Sequence, residues 1–218
     1  MNLIFLGLPG SGKGTQSLIV SNKLQIPRIS IGDILRKEIE LGSKTGKLFK
    51  SFIDAGILVP DTFVIEIIKY RVSHDDCSKG FILDGFPRNI EQANSLDAIL
   101  TALNKKIDAV IDFRINEEDI LERILKRFSC KECGAVYSKN FAKSSDFECL
   151  YCKSNFFEIR SDDNSETFLD RIKTYKEFEG SLLEFYKKKG LLFSVNASES
   201  LDRVSANIAK AIQALQKI

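Results

Sequence analysis

Gly7-Leu8-Pro9-Gly10-Ser11-Gly12-Lys13-Gly14-Thr15 lies between an apolar run, Leu3-Ile4-Phe5-Leu6, and a segment of helical character from Thr15 to Leu24. This order of strand, loop and helix sets successive backbone amides at a helix N-terminus, where they can wrap a polyphosphate. Glycines at 7, 10, 12 and 14 allow backbone angles closed to other residues, and Lys13 adds a point charge. The pattern follows the phosphate loop G-x-x-x-x-G-K through Lys13 and then departs. Gly14 takes the place where Ser or Thr usually reaches magnesium, and Thr15 comes one place later. An ordinary glycine-rich turn is the plain alternative, and the flanking strand and helix argue against it. Gly10 through Thr15 are expected to hold the phosphates of a nucleotide.

Composition bounds what such a loop serves. With 218 residues and 44% hydrophobic content, the chain can bury the core of one α/β domain with insertions, or of two small domains. Lys and Arg number 32 against 30 acids, a formal charge of +2, so no general field for nucleic acid or a membrane surface arises. The first apolar run is too short for a membrane span, has no basic segment before it and leads straight into the loop. It predicts neither a signal peptide nor an anchor, and hence a cytoplasmic protein.

Beyond the first helix, Ile26 to Ile31 is a short apolar piece, and Gly32-Asp33-Ile34-Leu35-Arg36 opens a helical pattern that runs to Glu40. Helical stretches at 44–55 and 62–72 follow, parted by the breakers Gly56 and Pro60, so residues 30–59 read as a small helical insertion. Lys79 to Arg88 reads as a buried strand ending in a carboxylate and a sharp turn. Ligands of open parallel sheets sit beyond the carboxyl ends of strands, which is where Asp84 and Arg88 fall. Next come a helix at 89–102, a strand at 109–113 and a helix capped by Asn116. Ile120, Leu121, Ile124 and Phe128 make its apolar side, with Arg123 and Arg127, four apart, on the other. Helical periodicity returns from Glu166 to Lys189, then a strand at 191–195 and a last helix from Leu201 to Gln216. Strands alternating with helices predict an α/β fold, a five-stranded parallel sheet covered on both faces and interrupted by two insertions.

Residues 129–159 break the pattern with Cys130-Lys131-Glu132-Cys133, fifteen further residues, and Cys149-Leu150-Tyr151-Cys152. In a reducing cytosol this spacing is the C-x2-C…C-x2-C form of a zinc site rather than a disulfide framework. Four thiolates close a tetrahedron and leave no open position for a catalytic water, so the metal is structural. The few apolar residues nearby cannot form a core alone, and metal binding supplies roughly 10 to 16 kcal/mol in small zinc peptides. Cys77 reads as a small buried apolar residue, and the single histidine, His74, as a solvated loop residue.

Taken together, these residues resemble the adenylate kinase family, in its bacterial form with a long zinc-binding lid. The likeness spans essentially the whole chain. It rests on Gly7 to Thr15, Gly32-Asp33 with Arg36, Leu58-Val59-Pro60-Asp61, Asp84-Gly85-Phe86-Pro87-Arg88 with Gln92, Arg123 with Arg127, the four cysteines, Arg160-Ser161-Asp162-Asp163, and Arg171. The resemblance implies a P-loop nucleoside monophosphate kinase fold. Residues 1–29, 60–125 and 164–218 would form the core, 30–59 the AMP-binding insertion and 126–163 the zinc-binding lid. It also implies reversible, magnesium-dependent transfer, ATP + AMP giving two ADP, which maintains adenine nucleotide balance, in a monomer with no nucleic-acid or membrane partner.

In that likeness ATP meets Gly10, Ser11, Gly12, Lys13, Gly14 and Thr15, with Arg127, Val136, Tyr137 and the backbone of Glu199. AMP meets Ile31, Arg36, Ile57, Leu58, Val59, Gly85, Phe86, Pro87, Arg88 and Gln92, together with Arg160 and Arg171. Lys13, Arg88, Arg123, Arg160 and Arg171 would be catalytic, converging on the transferring phosphate. Asp33 and Asp84 would hold magnesium through waters, which suits the missing hydroxyl at position 14, and Cys130, Cys133, Cys149 and Cys152 would hold zinc. Ile31 departs from the family, which typically has Thr there. Three other readings stay open. A kinase for CMP or UMP is favoured by Ile31 and disfavoured by the zinc lid and Gln92. A nucleic-acid-binding module built on the zinc knuckle is disfavoured by Asp146 and Glu148 just before Cys149. The third is a P-loop switch protein that binds nucleotide and signals.

Overall fold

Near-continuous apolar runs, without the alternation of a one-sided sheet, make the central strands. The computed structural model describes residues 1–54, 59–138, 147–159 and 165–215. In chain order the elements are β1 (Asn2–Gly7), α1 (Lys13–Leu24), β2 (Arg28–Ser30), α2 (Ile31–Glu40), α3 (Lys44–Asp54), α4 (Asp61–Val72), β3 (Phe81–Asp84), α5 (Ile90–Ala102), β4 (Ala109–Arg114), α6 (Glu117–Leu125), β5 (Arg127–Cys130), β6 (Val136–Ser138), β7 (Phe157–Glu158), α7 (Ser165–Lys188), β8 (Leu192–Asn196) and α8 (Leu201–Leu215).

The main sheet has five strands in the order β2-β3-β1-β4-β8, every pair parallel, as the sequence pattern predicts. All six residues of β1 are buried, and its side chains alternate between the two faces. Ile4 and Leu6 join Leu83, Val110 and the helices α2 to α5 and α7 on one face. Leu3 and Phe5 join Ile82, Ile111, α1 and α8 on the other. The chain leaves β1 towards β3 on one side and β4 on the other, so the loop after β1 lies at the topological switch point where such sheets bind ligands. Asp84, paired in register with Phe5, ends β3 beside that loop. Helices α2 and α3 share the core of the first face through Ile31, Leu35 and Phe49, rather than forming a core of their own.

The structure corrects the local reading at several points. Gly7, Gly10 and Gly12 take positive φ, whereas Gly14 lies inside α1, so position 14 needs a glycine for no backbone reason. Asn116 occupies the N-cap position of α6 without making a side-chain capping bond. That helix ends at Leu125, which moves Arg127 and Phe128 into strand β5 and leaves Leu121 exposed, so the apolar stripe reduces to Ile120 and Ile124. The cysteine segment forms a second, antiparallel sheet in the order β6-β5-β7, which periodicity could not show in strands of two to four residues.

Candidate active site

The loop after β1 is held in shape before any ligand enters. Leu8 O accepts both Ser11 N, at 3.1 Å, and Lys13 Nζ, at 2.9 Å. Gly10, at φ +84°, is pressed against α6, since a Cβ there would lie 2.6 Å from Ile120 Cγ2 and 2.8 Å from Ile124 Cγ1. Gly12, at φ 94°, is the N-cap of α1, and its lack of a side-chain cap leaves the first amides of that helix facing the cleft. A cleft of about 650 Å³ opens over this end of the helix.

Seven cationic side chains from separate elements line that cleft: Lys13, Arg28, Arg36, Arg88, Arg123, Arg127 and Arg171. Arg123, in the last turn of α6, is aimed by a 3.0 Å bond to Ala197 O, and Arg88 by a 3.2 Å bond to Gly85 O. Burial pushes Lys13 down to about 8; Asp84 pulls it up, and Arg88, Arg127 and Arg28 oppose that pull. Burial, then Arg171 and Arg36, push Arg88 down to about 10, with Asp84 and Asp61 opposing, and it stays charged at neutral pH. Cations crowded this way are stabilised by a polyanion.

Next to the cleft lies a small pocket between Ile31, Leu35, Val59, Val64, Phe86 and Gln92. It is apolar except at one wall. Gln92, 2% exposed, donates from Nε2 to Asp61 Oδ1 at 2.6 Å and accepts Arg88 N on Oε1 at 2.7 Å. Its amide therefore keeps one N–H and one lone pair for a ligand.

The four cysteines form two knuckles with one pattern. Gly134 N donates to Cys130 O and Lys153 N to Cys149 O, at 3.0 and 2.9 Å, while Cys130 N and Cys149 N donate to Ala135 O and Ser154 O, both at 2.8 Å. All four Sγ atoms lie within 4.8 Å of one another, and the pairs Cys130–Cys152 and Cys133–Cys149 stand at 3.5 Å. That is too long for a disulfide and close to the roughly 3.8 Å edge of a tetrahedron with 2.3 Å zinc–sulfur bonds. Burial would raise the Cys149 thiol, but hydrogen bonds from Tyr137 and from the Cys152 and Tyr151 amides hold it down at about 6, while Cys133 is pushed up. Such a set ionises fully only around a cation, so the donors fit zinc. An aromatic cluster of Phe128, Tyr137, Phe147 and Phe157 packs beside the thiols and against Leu18 of α1.

A family model described as adenylate kinase matches residues 5–191 of this chain. The adenylate kinase of Archaeoglobus fulgidus is 45% identical over 217 residues, covering 99% of this chain and 100% of that protein. Those of Enterococcus faecalis and Thermodesulfovibrio yellowstonii are 42% and 40% identical over 213 and 214 residues, covering 97% and 98% of this chain and 99% of each relative. The chain belongs to the adenylate kinase family. It is a phosphotransferase with the activity of that family, ATP + AMP giving two ADP.

For an adenylate kinase, the expected residues fall into a legible geometry. Gly10 to Thr15, Arg127, Val136, Tyr137 and Glu199 line the large cleft, as do Arg36, Val59, Gly85, Pro87, Arg88, Arg123 and Arg171. Ile31, Phe86 and Gln92 line the small pocket, which shares Val59, Gly85 and Arg88 with the cleft. Ile57, Leu58 and Arg160 lie outside the described residues. The Tyr137 hydroxyl is engaged within the lid, 3.1 Å from Cys149 Sγ and accepting Leu150 N at 3.0 Å, so only its ring is left for the cleft. Asp33 and Asp84 are both ion-paired to Arg28. Sequence reading passed over Arg28, whose one signal is a charge inside an otherwise apolar piece. Among the described residues no helix is long and apolar enough to cross a membrane.

Proposed function

We propose that ATP occupies the phosphate-loop end of the cleft and AMP the small pocket, with the transferring phosphate between Lys13, Arg88, Arg123 and Arg171. The single observation that carries this reading is the convergence of seven cations from one chain on one cleft that joins a phosphate loop to an apolar pocket. Because one chain supplies them all, the reaction needs no residue from a second copy, which suits a monomer. The attacking oxygen of AMP is already a nucleophile, so no general base is needed. Positioning and charge neutralisation do the catalysis. Gly10 to Thr15 and Arg127 hold the ATP phosphates, with Val136, Tyr137 and Glu199 beside the nucleoside. Arg36 and Arg88 take the AMP phosphate, with Arg160 joining from the lid side. Ile31, Val59, Phe86 and Gln92 enclose the base, Ile57 and Leu58 contribute to AMP binding through their backbone, and Gly85 and Pro87 shape the turn. Residues 126–163 act as the lid that excludes water, and 30–59 as the AMP-binding segment.

Asp33 and Asp84 hold magnesium through waters. They are hard oxygen donors at the phosphate end, and Asp84 Oδ2 lies 3.5 Å from where a Cβ of Gly14 would stand, so the carboxylate borders the phosphate loop. Magnesium, when bound, neutralises phosphate charge. The four cysteines hold one zinc, which fixes the lid.

Ile31 gives this reading its sharpest edge. It is 3% exposed in the small pocket and offers only methyl groups to a base, so a ring acceptor loses a partner there, roughly 1 to 3 kcal/mol if nothing replaces it. AMP should remain the preferred acceptor, by a narrower margin than a threonine would give. A coupled assay with AMP, CMP, UMP and GMP tests this, run on the natural chain and on Ile31→Thr. ADP should form from ATP only with a monophosphate present, and the substitution should raise kcat/KM for AMP by about tenfold, or 1.4 kcal/mol. CMP or UMP outperforming AMP would overturn the placement of AMP, and slow ADP formation without any monophosphate would point to an NTPase.

A further inference from the structure

Arg28 enters the cleft from the edge strand β2 and binds both proposed magnesium carboxylates at once. Its Nε and Nη2 reach Asp84 Oδ2 at 3.0 and 2.6 Å, its Nη1 reaches Asp33 Oδ2 at 2.9 Å, and its Nε also reaches Ser17 Oγ at 2.9 Å. The side chains of Arg28 and Asp84 are 11% and 9% exposed. The remaining Asp33 oxygen is ion-paired to Arg36. Two carboxylates thus face two guanidiniums, and the formal charge of this corner is zero before any metal arrives. The corner is also covered on two sides. A Cβ on Gly134 of the first zinc knuckle would stand 3.4 Å from Asp33 Oδ2 and 3.7 Å from Arg28 Nη1, and one on Gly14 would stand 3.4 Å from Arg28 Nη2.

A hexahydrated divalent cation is held by carboxylates through its waters, which needs net negative charge and acceptor lone pairs directed at those waters. Arg28 opposes both, since its charge together with that of Arg36 cancels the pair's, and its planar fork occupies one oxygen of each carboxylate. We propose that Arg28 is a positioning residue that, with Arg36, keeps Asp33 and Asp84 neutralised in advance. The two carboxylates then take magnesium only when it arrives with nucleotide phosphates, which supply the missing negative charge, and not from solution. This rests on reading Asp33 and Asp84 as the magnesium residues.

Manganese(II) titrations followed by electron paramagnetic resonance test it, on zinc-loaded protein both free and saturated with ADP. Arg28→Gln keeps hydrogen bonding without charge, and should bind manganese without nucleotide at least tenfold more tightly than the natural chain. Arg28→Lys should return to the natural value, and Asp84→Asn combined with Arg28→Gln should abolish the gain. Arg28→Ala, which removes the charge and leaves room for water, is the safeguard should the glutamine variant not fold. Like Arg28→Gln, it should bind manganese without nucleotide more tightly than the natural chain. Unchanged or weaker manganese binding in folded Arg28→Gln, or in folded Arg28→Ala where the glutamine variant does not fold, would overturn the proposal. Asp84→Asn alone separates the two layers. Failure to weaken manganese binding in the ADP complex removes the magnesium reading itself. Weakening there without a gain in Arg28→Gln removes only the role of Arg28.

Discussion

Gly10 in the phosphate loop and Lys153 in the second zinc knuckle both sit at positive φ, 84° and 64°, yet they are kept there by different forces. Gly10 is clamped from outside by Ile120 and Ile124, which belong to a buried cluster with Leu8 and Ile172. Lys153 is exposed, and the turn it closes is defined by Cys149 and its backbone bonds. The phosphate loop is thus stabilised by the protein core, through packing that needs no ligand. The cysteine segment has four clustered thiols, a small aromatic patch and short strands, so on the zinc reading proposed above its shape should be conditional on metal.

Removing the metal should break the comparison most visibly. Cys130→Ser, or chelation, removes a contribution of roughly 10 to 16 kcal/mol by the scale of small zinc peptides. Zinc content should fall from one per chain to none. Hydrogen exchange should accelerate across β5 and β6 while β1 and the phosphate loop stay protected. Equal zinc in Cys130→Ser, or equal loss of protection in both regions, would show that the two are not separately held. Cys77→Ser, by contrast, should leave zinc unchanged, since Cys77 is buried in the main core and its thiol is pushed up to about 11, chiefly by burial.

Lys13→Ala tests the cradle from its chemical side. One preorganised charge typically contributes 10² to 10³ in rate, while Lys13, the first residue of α1 and tied to Leu8 O, belongs to no apolar cluster, so turnover should fall by that factor with Tm within a few degrees of the natural chain. The same lysine sets a pH dependence. Its pKa in the free enzyme is lowered to about 8, and phosphate raises it, so nucleotide binding is linked to proton uptake. Affinity for ATP should be flat below about pH 8 on this account and weaken by up to tenfold per pH unit above it, and Lys13→Ala should lose that slope. A slope that survives the substitution would assign it to another group.

Gly10→Ala should come next in size. A left-handed backbone costs a non-glycine residue about 1 to 2 kcal/mol, and forcing a methyl group against Ile120 adds about 1 to 3 more. At roughly 2 to 4 °C per kcal/mol for a chain of this length, the fall in Tm should be about 4 to 20 °C. A fall confined to the lid, seen by hydrogen exchange, would contradict the view that Gly10 is clamped by the core.

What the sequence disclosed follows the same division. The strand, loop and helix around Gly7 to Thr15 were legible because each is local, and the strand and helix positions of the parallel sheet agree to within a few residues. Arg127 was misplaced on a helix face because its four-residue spacing from Arg123 mimics helical periodicity past the true end at Leu125. The hold of Asp61 on Gln92 depends on a partner 31 residues away, and that of Arg28 on Asp84 on one 56 residues away. Neither leaves a periodic trace. The strands of the second sheet are hidden from periodicity because they are two to four residues long and packed among clustered thiols and aromatic rings rather than on an alternating face.

The smallest effect belongs to Lys153, and it separates the two knuckles from each other. Gly134 closes the first knuckle at φ 70°, and a Cβ there would meet Asp33 and Arg28 across the cleft, so that position faces the core. Lys153 closes the second at φ 64° and points to solvent, leaving only the backbone penalty of a side chain in the left-handed region. Lys153→Gly relieves that penalty of about 1 to 2 kcal/mol but returns roughly 0.5 to 1 kcal/mol through the greater freedom of glycine in the unfolded chain. The zinc-loaded lid should therefore gain about 0.5 to 1 kcal/mol, read as slower zinc release to a chelator by about two- to fivefold. Read by hydrogen exchange instead of zinc release, the gain should vanish in Cys130→Ser, where the turn has no metal to close upon. A gain that persists without zinc would mean that the second knuckle forms by itself, and that the metal holds less of the lid than the four clustered thiols suggest.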